Sequence, residues 1–177
     1  MIDVKDLHYR GKRVKNNNWE YGCYVKLESK DKDGEFEHFI IEPQRLGGQF
    51  EVFGETVGLG TTLKDTHNWE IFTGDIIYFQ SNYKEYVGVV FFGGSYIPGD
   101  ETMKRFVIYN DDKKESINDD WFYDLDSTHS TVKDVEIIGN IYDNKDALEL
   151  LRKQNKTQKD IKEILEKLNK ESKNDLS

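Results

Sequence analysis

The chain has 177 residues and a formal net charge of -9, from 25 Lys+Arg against 34 Asp+Glu, with 36% hydrophobic residues and Cys23 as its one cysteine. One cysteine excludes a disulfide framework, and no apolar run approaches the roughly 20 residues of a membrane-crossing helix. Residues 1–15 hold Asp3, Lys5, Asp6, Arg10, Lys12, Arg13 and Lys15 with no apolar core between them, so no secretory signal is expected and a cytoplasmic protein without membrane contact is.

In chain order, the first 143 residues read as strands. Trp19 to Leu27 alternates Tyr21, Cys23, Val25 and Leu27 against Glu20, Gly22, Tyr24 and Lys26, the period of a strand. Asp33-Gly34 supplies a turn whose residues tolerate positive φ, and Phe36 to Ile41 returns as the partner strand. Further strands are expected at Phe50–Phe53, Ile76–Phe79, Tyr86–Phe92, Phe106–Asn110 and Val135–Tyr142, with glycines at most junctions. Many short strands between Gly-rich turns, without alternating helices, argue for a mainly β fold. The rhythm of Gly74 to Phe79 and Gly88 to Gly94 points to a small SH3-like or partly open barrel with hairpin additions. An acidic insertion is expected over about residues 98–132.

The period changes after Tyr142. Asn144 is read as the N-cap of a helix through Ala147, Leu148, Leu150 and Leu151. Thr157 and Asp160 form a capping-box pattern for a second helix. Ile161, Ile164, Leu165 and Leu168 then make one narrow apolar stripe. The stripe docks on the rest of the chain, or pairs with a second copy as a homo-oligomer contact. Residues 144–172 are thus expected as a helical tail and 173–177 as disordered.

Residues 145–177 hold nine basic and seven acidic side chains, leaving 16 basic and 27 acidic in the body. Such a body repels phosphate backbones and favours basic protein partners, or simply keeps the protein soluble. The segment Asp111 to Asp126 carries seven acidic against two basic residues, interrupted by Trp121, Phe122 and Tyr123. Asp119, Asp120, Trp121, Tyr123, Asp124 and Asp126 are the candidate partner-binding residues. The alternative is a solvated loop whose charges keep sheet edges from pairing. Arg10, Lys12 and Arg13 form the one basic cluster of the body and a candidate anion site, or a turn entering the first strand.

Several chemical patterns fail. Asp31 to Glu42 resembles a calcium loop, but Phe36 occupies the position that needs glycine. His8, His38, His67 and His129 have no zinc spacing. Gly58-Leu-Gly60-Thr-Thr lacks the lysine of a phosphate loop. Cys23 is expected as a buried, inert thiol. No catalytic set, metal site or cofactor is therefore predicted.

Three segments together resemble the YopX-like family of phage and prophage proteins. The first is Tyr9-Arg-Gly-Lys-Arg-Val-Lys-Asn-Asn-Asn-Trp-Glu-Tyr-Gly22. The second joins Glu55-Thr-Val-Gly58, Thr61-Thr-Leu-Lys-Asp65 and Glu70-Ile-Phe-Thr-Gly-Asp-Ile-Ile77. The third is Val135-Glu-Ile-Ile-Gly-Asn-Ile-Tyr-Asp-Asn144. Leu59-Gly60 and Thr62 depart from the family pattern, and the insertion and second helix lie outside its shared blocks. The resemblance implies a β-barrel-like domain acting in the cytoplasm of a bacterial host, and no particular reaction. In it Gly74 and Gly139 read as bends, Asp75 as a turn cap, and Ile76, Ile77, Ile137, Ile138 and Ile141 as core. Trp19 and Trp69 stay open between core and surface.

The function expected first is a non-catalytic, phage-encoded protein that binds and modulates a host protein, such as a nucleic-acid-handling or defence factor. A nucleic-acid-binding SH3-like module is the alternative, weighed down by the acidic body. A metal-dependent nuclease or hydrolase would have to gather Asp65, Glu70, Asp75 and Asp120.

Overall fold

A computed structural model describes residues 8–29, 34–42, 48–94, 104–109, 122–125, 132–153 and 156–174. The chain is mainly β with helices at its C-terminal end, as expected, but its sheets stay open where a small barrel would close. It divides into two units, Met1–Thr62 and Leu63–Ser177. The helices that follow the last strand fall in the second unit together with most of the strands.

The first unit contains β1 (Tyr9–Lys12), β2 (Trp19–Glu28), β3 (Phe36–Ile41), β4 (Gln49–Glu51), a short 3-10 turn at Gly54–Thr56 and the start of β5 (Gly58–Lys64). Neighbouring strands are antiparallel in the order β4-β3-β2-β1-β5. The β2–β3 hairpin forms as expected, Cys23 opposite Ile41 and Glu28 opposite Phe36. Gly22 is obligatory, because a Cβ there would lie 2.2 Å from the Ile41 carbonyl oxygen. Ile40 and Val52 are buried on one face. The basic run Arg10-Gly11-Lys12 is strand, not turn, and β5 takes up the Gly-rich segment that had no expected element.

The second unit begins at the end of β5 and continues with β6 (Glu70–Phe72), β7 (Asp75–Ser81), β8 (Lys84–Gly94), β9 (Lys104–Tyr109), β10 (Phe122–Asp124), β11 (Lys133–Asn140), α1 (Ile141–Lys153) and α2 (Gln158–Asn174). Its sheet runs β10-β9-β8-β7-β11, all antiparallel. Parity along β7 and β8 makes two cores. Ile76, Tyr78, Val87, Val89 and Ile138 face Leu148 of α1 and Ile161 and Leu165 of α2. Ile77, Phe79, Tyr86, Val90 and Ile108 face Ile71, with Leu63, Leu125, Val135 and Ile137 packed beside them. The sheet is thus covered on both faces, which is why β7 reads as a continuous apolar run.

Two connections explain how α1 and α2 dock. Gly74 has φ +86, and a Cβ there would approach the Tyr142 ring to 2.9 Å; its carbonyl accepts the Ile141 amide at 2.9 Å. Asn140 caps α1, its Oδ1 accepting the Tyr142 and Asp143 amides at 3.0 Å each. The helix therefore starts before Asn144, which is buried instead of capping. Asn144 Oδ1 accepts the Asn140 amide at 3.1 Å and its Nδ2 donates to Asn169 Oδ1 at 3.1 Å. Asn169 Nδ2 in turn donates to the Ile138 carbonyl at 2.7 Å. Gln158 Oε1 accepts the Val87 amide at 2.6 Å, and Lys162 pairs with Glu136 and lies 4.6 Å over the Tyr78 ring.

Of the two readings of the α2 stripe, these contacts bear out docking on the rest of the chain. Ile161 and Leu165 are buried in the chain's own core, Ile164 packs at its edge, and only Leu168 of the four is exposed. A stripe two turns long is used up by one sheet face. The Thr157–Asp160 capping box forms as read, the Asp160 amide donating to Thr157 Oγ1 at 3.1 Å and the Thr157 amide to Asp160 Oδ2 at 3.2 Å. Helix continues to Asn174, into the stretch expected to be disordered; residues 175–177 lie outside the described residues. No helix among the described residues is long and apolar enough to cross a membrane.

Candidate functional site

Between β5 and β6 the chain makes a short loop, Asp65-Thr66-His67-Asn68-Trp69. Asp65 is buried at 8% exposure and organises it. Its Oδ1 accepts the His67 and Trp69 amides at 2.9 Å each, and its Oδ2 accepts the Ile137 amide of β11 at 3.3 Å. The Asp65 amide donates to the Trp69 carbonyl at 2.8 Å, the Asn68 amide to the Asp65 carbonyl at 3.0 Å, and the Thr66 amide to the Val135 carbonyl at 2.9 Å. Asn68 takes φ 67, a left-handed conformation that asparagine tolerates better than most residues. His67 Nδ1 lies 3.7 Å from Asp65 Oδ2. The loop is stapled to its own ends and to β11, yet Trp69 is 70% exposed. A large apolar side chain is thus held in water by a rigid support.

The basic cluster is divided by strand parity. Arg10 lies opposite Tyr21 and Lys12 opposite Trp19, so both project from one face of β1. The Arg10 guanidinium is 4.5 Å from the Trp19 ring centre and the Lys12 ammonium 5.5 Å from it. Arg13 turns to the other face, paired with Glu20 at 3.3 Å and 4.4 Å over Phe50. The three cations do not converge on one anion, and Arg10 is only 7% exposed. On the Arg13 face, Tyr24 and His38 are stacked, Tyr24 Oη lying 2.7 Å from His38 Nδ1. Burial, then the neighbouring Tyr9, pushes the Tyr24 phenol up.

The face shared by Arg10 and Lys12 continues along β2 through Trp19, Tyr21, Cys23, Val25 and Leu27. Opposite them on β3 stand Ile41, Phe39 and Glu37, and beyond these on β4 Gln49 and Glu51. Tyr21 is 52% and Leu27 47% exposed. Cys23 is exposed too, against the expectation of a buried thiol. The alternation along β2 was read correctly; which of its faces would be covered was not.

Of the carboxylates expected around a metal, Asp65 and Asp75 have other partners. Asp75 is buried and its Oδ2 accepts the Phe72 amide at 2.8 Å, capping the β6–β7 turn as read. Asp65 holds three amides, as above. Among the described residues no group of three or more His, Cys, Asp or Glu side chains is placed to hold a metal. Of the acidic candidates, Asp119, Asp120, Trp121 and Asp126 lie outside the described residues. Tyr123 and Asp124 stand in β10, opposite Ile108 and Val107.

Trp69 was missed as a site residue because no periodicity sets its direction. The signal was the short spacing from Asp65 to an Asn-Trp pair, since aspartate side chains accept amides two residues on.

The match to known families falls where the geometry is densest. The family described as YopX protein matches residues 8–151, which takes in both sheets, the Asp65 loop and most of α1. No curated protein and no solved structure matches the chain. The family match spans well over half of the 177 residues, and the chain belongs to the YopX protein family.

Proposed function

We propose that this protein is a phage- or prophage-encoded interaction protein, which binds a host protein and alters it without catalysing a reaction. Trp69 carries the reading. An indole held 70% exposed on a loop stapled by Asp65 loses little conformational freedom when a partner covers it. Tryptophans of this kind dominate binding energy at protein interfaces, where they fill an apolar pocket. The chain's net charge of -9 selects a partner whose pocket has a basic rim. The acidic segment that carries Asp119, Asp120, Asp124 and Asp126 contributes to that charge. The phage setting rests on the family, and action in the host cytoplasm goes with it.

The test is a tagged capture from host lysate with nuclease added, comparing wild type with Trp69→Ala. The expected result is a stoichiometric, nuclease-resistant protein that Trp69→Ala fails to retain although its melting temperature is unchanged. Equal capture by the variant overturns the role of Trp69. Loss of every partner on nuclease treatment favours a nucleic-acid-binding module instead. That second reading draws on Lys12 and Trp19 sharing one sheet face, and its binding should weaken steeply with added salt.

A further inference from the structure

In the second unit, Ile76, Tyr78, Val87 and Val89 face α1 and α2. The next pair on that face, Gln80 opposite Glu85, stands beyond them toward the β7–β8 turn. Gln158 Oε1 ties the first turn of α2 to the Val87 amide. Between the Gln80–Glu85 pair and that first turn lies a cavity of about 530 Å³, completed by Tyr83 and Lys84 from the hairpin and Lys159 from the helix. Its volume is that of a small-molecule site. Tyr83 stands at φ 63, where a two-residue turn of this twist favours glycine, and its ring is fully exposed. Backbone strain that keeps a bare aromatic ring at the mouth of a cavity marks a binding site. Lys84 and Lys159 against Glu85 give the lining a charge of +1, in a chain whose balance is -9. Glu85 itself takes the Tyr78 hydroxyl.

We propose that this cavity binds a mononucleotide, its base stacked on Tyr83 and bonded to Gln80, its phosphate between Lys84 and Lys159. A base needs an aromatic face to stack on. Its edge needs a group that both donates and accepts, as the Gln80 amide does. A phosphate needs cations, which form its stronger hydrogen bonds. The cavity brings all three together within one hairpin and one helical turn. An inorganic anion would use the lysines alone and leave the strained ring unexplained. A long strand would bring further phosphates against the acidic body of the chain. The free mononucleotide is the occupant that fits both the lining and its surroundings.

The test is calorimetric titration of the full chain with the four common nucleoside monophosphates. The matching nucleosides, inorganic phosphate and a single-stranded octamer serve as comparisons. At least one monophosphate should bind with a dissociation constant below about 1 mM. Its nucleoside and inorganic phosphate should each bind about tenfold more weakly or less. Tyr83→Gly should weaken binding by about tenfold or more without lowering the melting temperature, and Tyr83→Phe should keep it. Lys84→Gln combined with Lys159→Gln should weaken it similarly and remove most of its salt dependence. Failure of every monophosphate to bind overturns the proposal. So does inorganic phosphate binding as tightly as the nucleotide, or affinity that Tyr83→Gly or the lysine variant leaves unchanged. An octamer that binds more tightly than the monomer overturns the free mononucleotide as occupant.

Discussion

Asp65 and Trp69 are bonded twice across one short loop: the Asp65 carboxylate accepts the Trp69 amide at 2.9 Å, and the Asp65 amide donates to the Trp69 carbonyl at 2.8 Å. The first bond places a buried acceptor under the loop; the second closes it as a strand pair would. With the His67 amide on the same oxygen and the Ile137 amide on the other, one carboxylate ties the loop to β11. Ile71, two residues past the exposed indole, is fully buried in the core. Rigidity at Trp69 therefore has a physical source in the fold.

Asp65→Ala should cost about 3 kcal/mol, because three amides lose a charged, buried acceptor. Chemical denaturation measures the loss, and amide exchange at His67 and Trp69 should accelerate far more than at Ile76. Trp69→Ala, by contrast, removes a side chain that is mostly in water and should change stability by less than about 0.5 kcal/mol. If both variants destabilise equally, Trp69 packs against the fold and the interaction reading fails.

The β7–β8 hairpin turns on Asn82 and Tyr83, at φ 50 and φ 63. Both positions are left-handed, as a two-residue hairpin loop of this twist requires. Tyr83 is fully exposed, so its side chain adds little packing in return for the strain. Tyr83→Gly should raise stability by about 0.5–1 kcal/mol, read as an upward shift in melting temperature. No change, or a drop, would show that Tyr83 makes a contact that offsets its backbone strain.

Asn144 and Asn169 link α1, α2 and β11 through amide side chains. Each replacement by Ala should cost about 1–2 kcal/mol, since it leaves buried Asn144, or half-buried Asn169, without its amide partner. Because the two amides bond to each other, the double variant should cost less than the sum of the singles, by about 0.5 kcal/mol or more. Strict additivity in a double-mutant cycle would mean that the helices are held by the apolar contacts alone.

What the sequence disclosed follows how local each signal is. The β2–β3 hairpin and the Thr157–Asp160 capping box were readable because neighbours within a few residues determine them. Ile76, Ile77 and Ile138 read as core because their apolar run is covered on both faces. β1 was missed because Arg10, Gly11 and Lys12 look like a turn until Tyr21 and Trp19 are set beside them. Asn144 was misplaced as a cap because Asn140, four residues earlier, is an equally good one, and only the bonds to Asn169 distinguish their roles. Exposure of Cys23 and Trp69 depends on which surfaces come together, which no spacing along the chain encodes. The α2 stripe is the same problem inverted: its period was visible, and its partner, the sheet face around Tyr78 and Val87, was not.

Asp160 gives the fold a pH dependence whose sign can be worked out. The Thr157 hydroxyl first, and then the Thr157 amide, donate to the Asp160 carboxylate and hold it below the usual carboxylate range. A group whose folded pKa is depressed contributes stability above its unfolded pKa and loses it as pH falls through the folded one. The first turn of α2 should therefore be fully capped above about pH 4, the ordinary aspartate value, and should loosen below it. Asp160→Asn keeps an acceptor but cannot titrate, so it isolates the charge. Helical circular dichroism of the wild type should exceed that of Asp160→Asn near neutral pH, and the gap should close on acidification. A gap that persists at low pH would place the difference in side-chain geometry and not in the ionised cap.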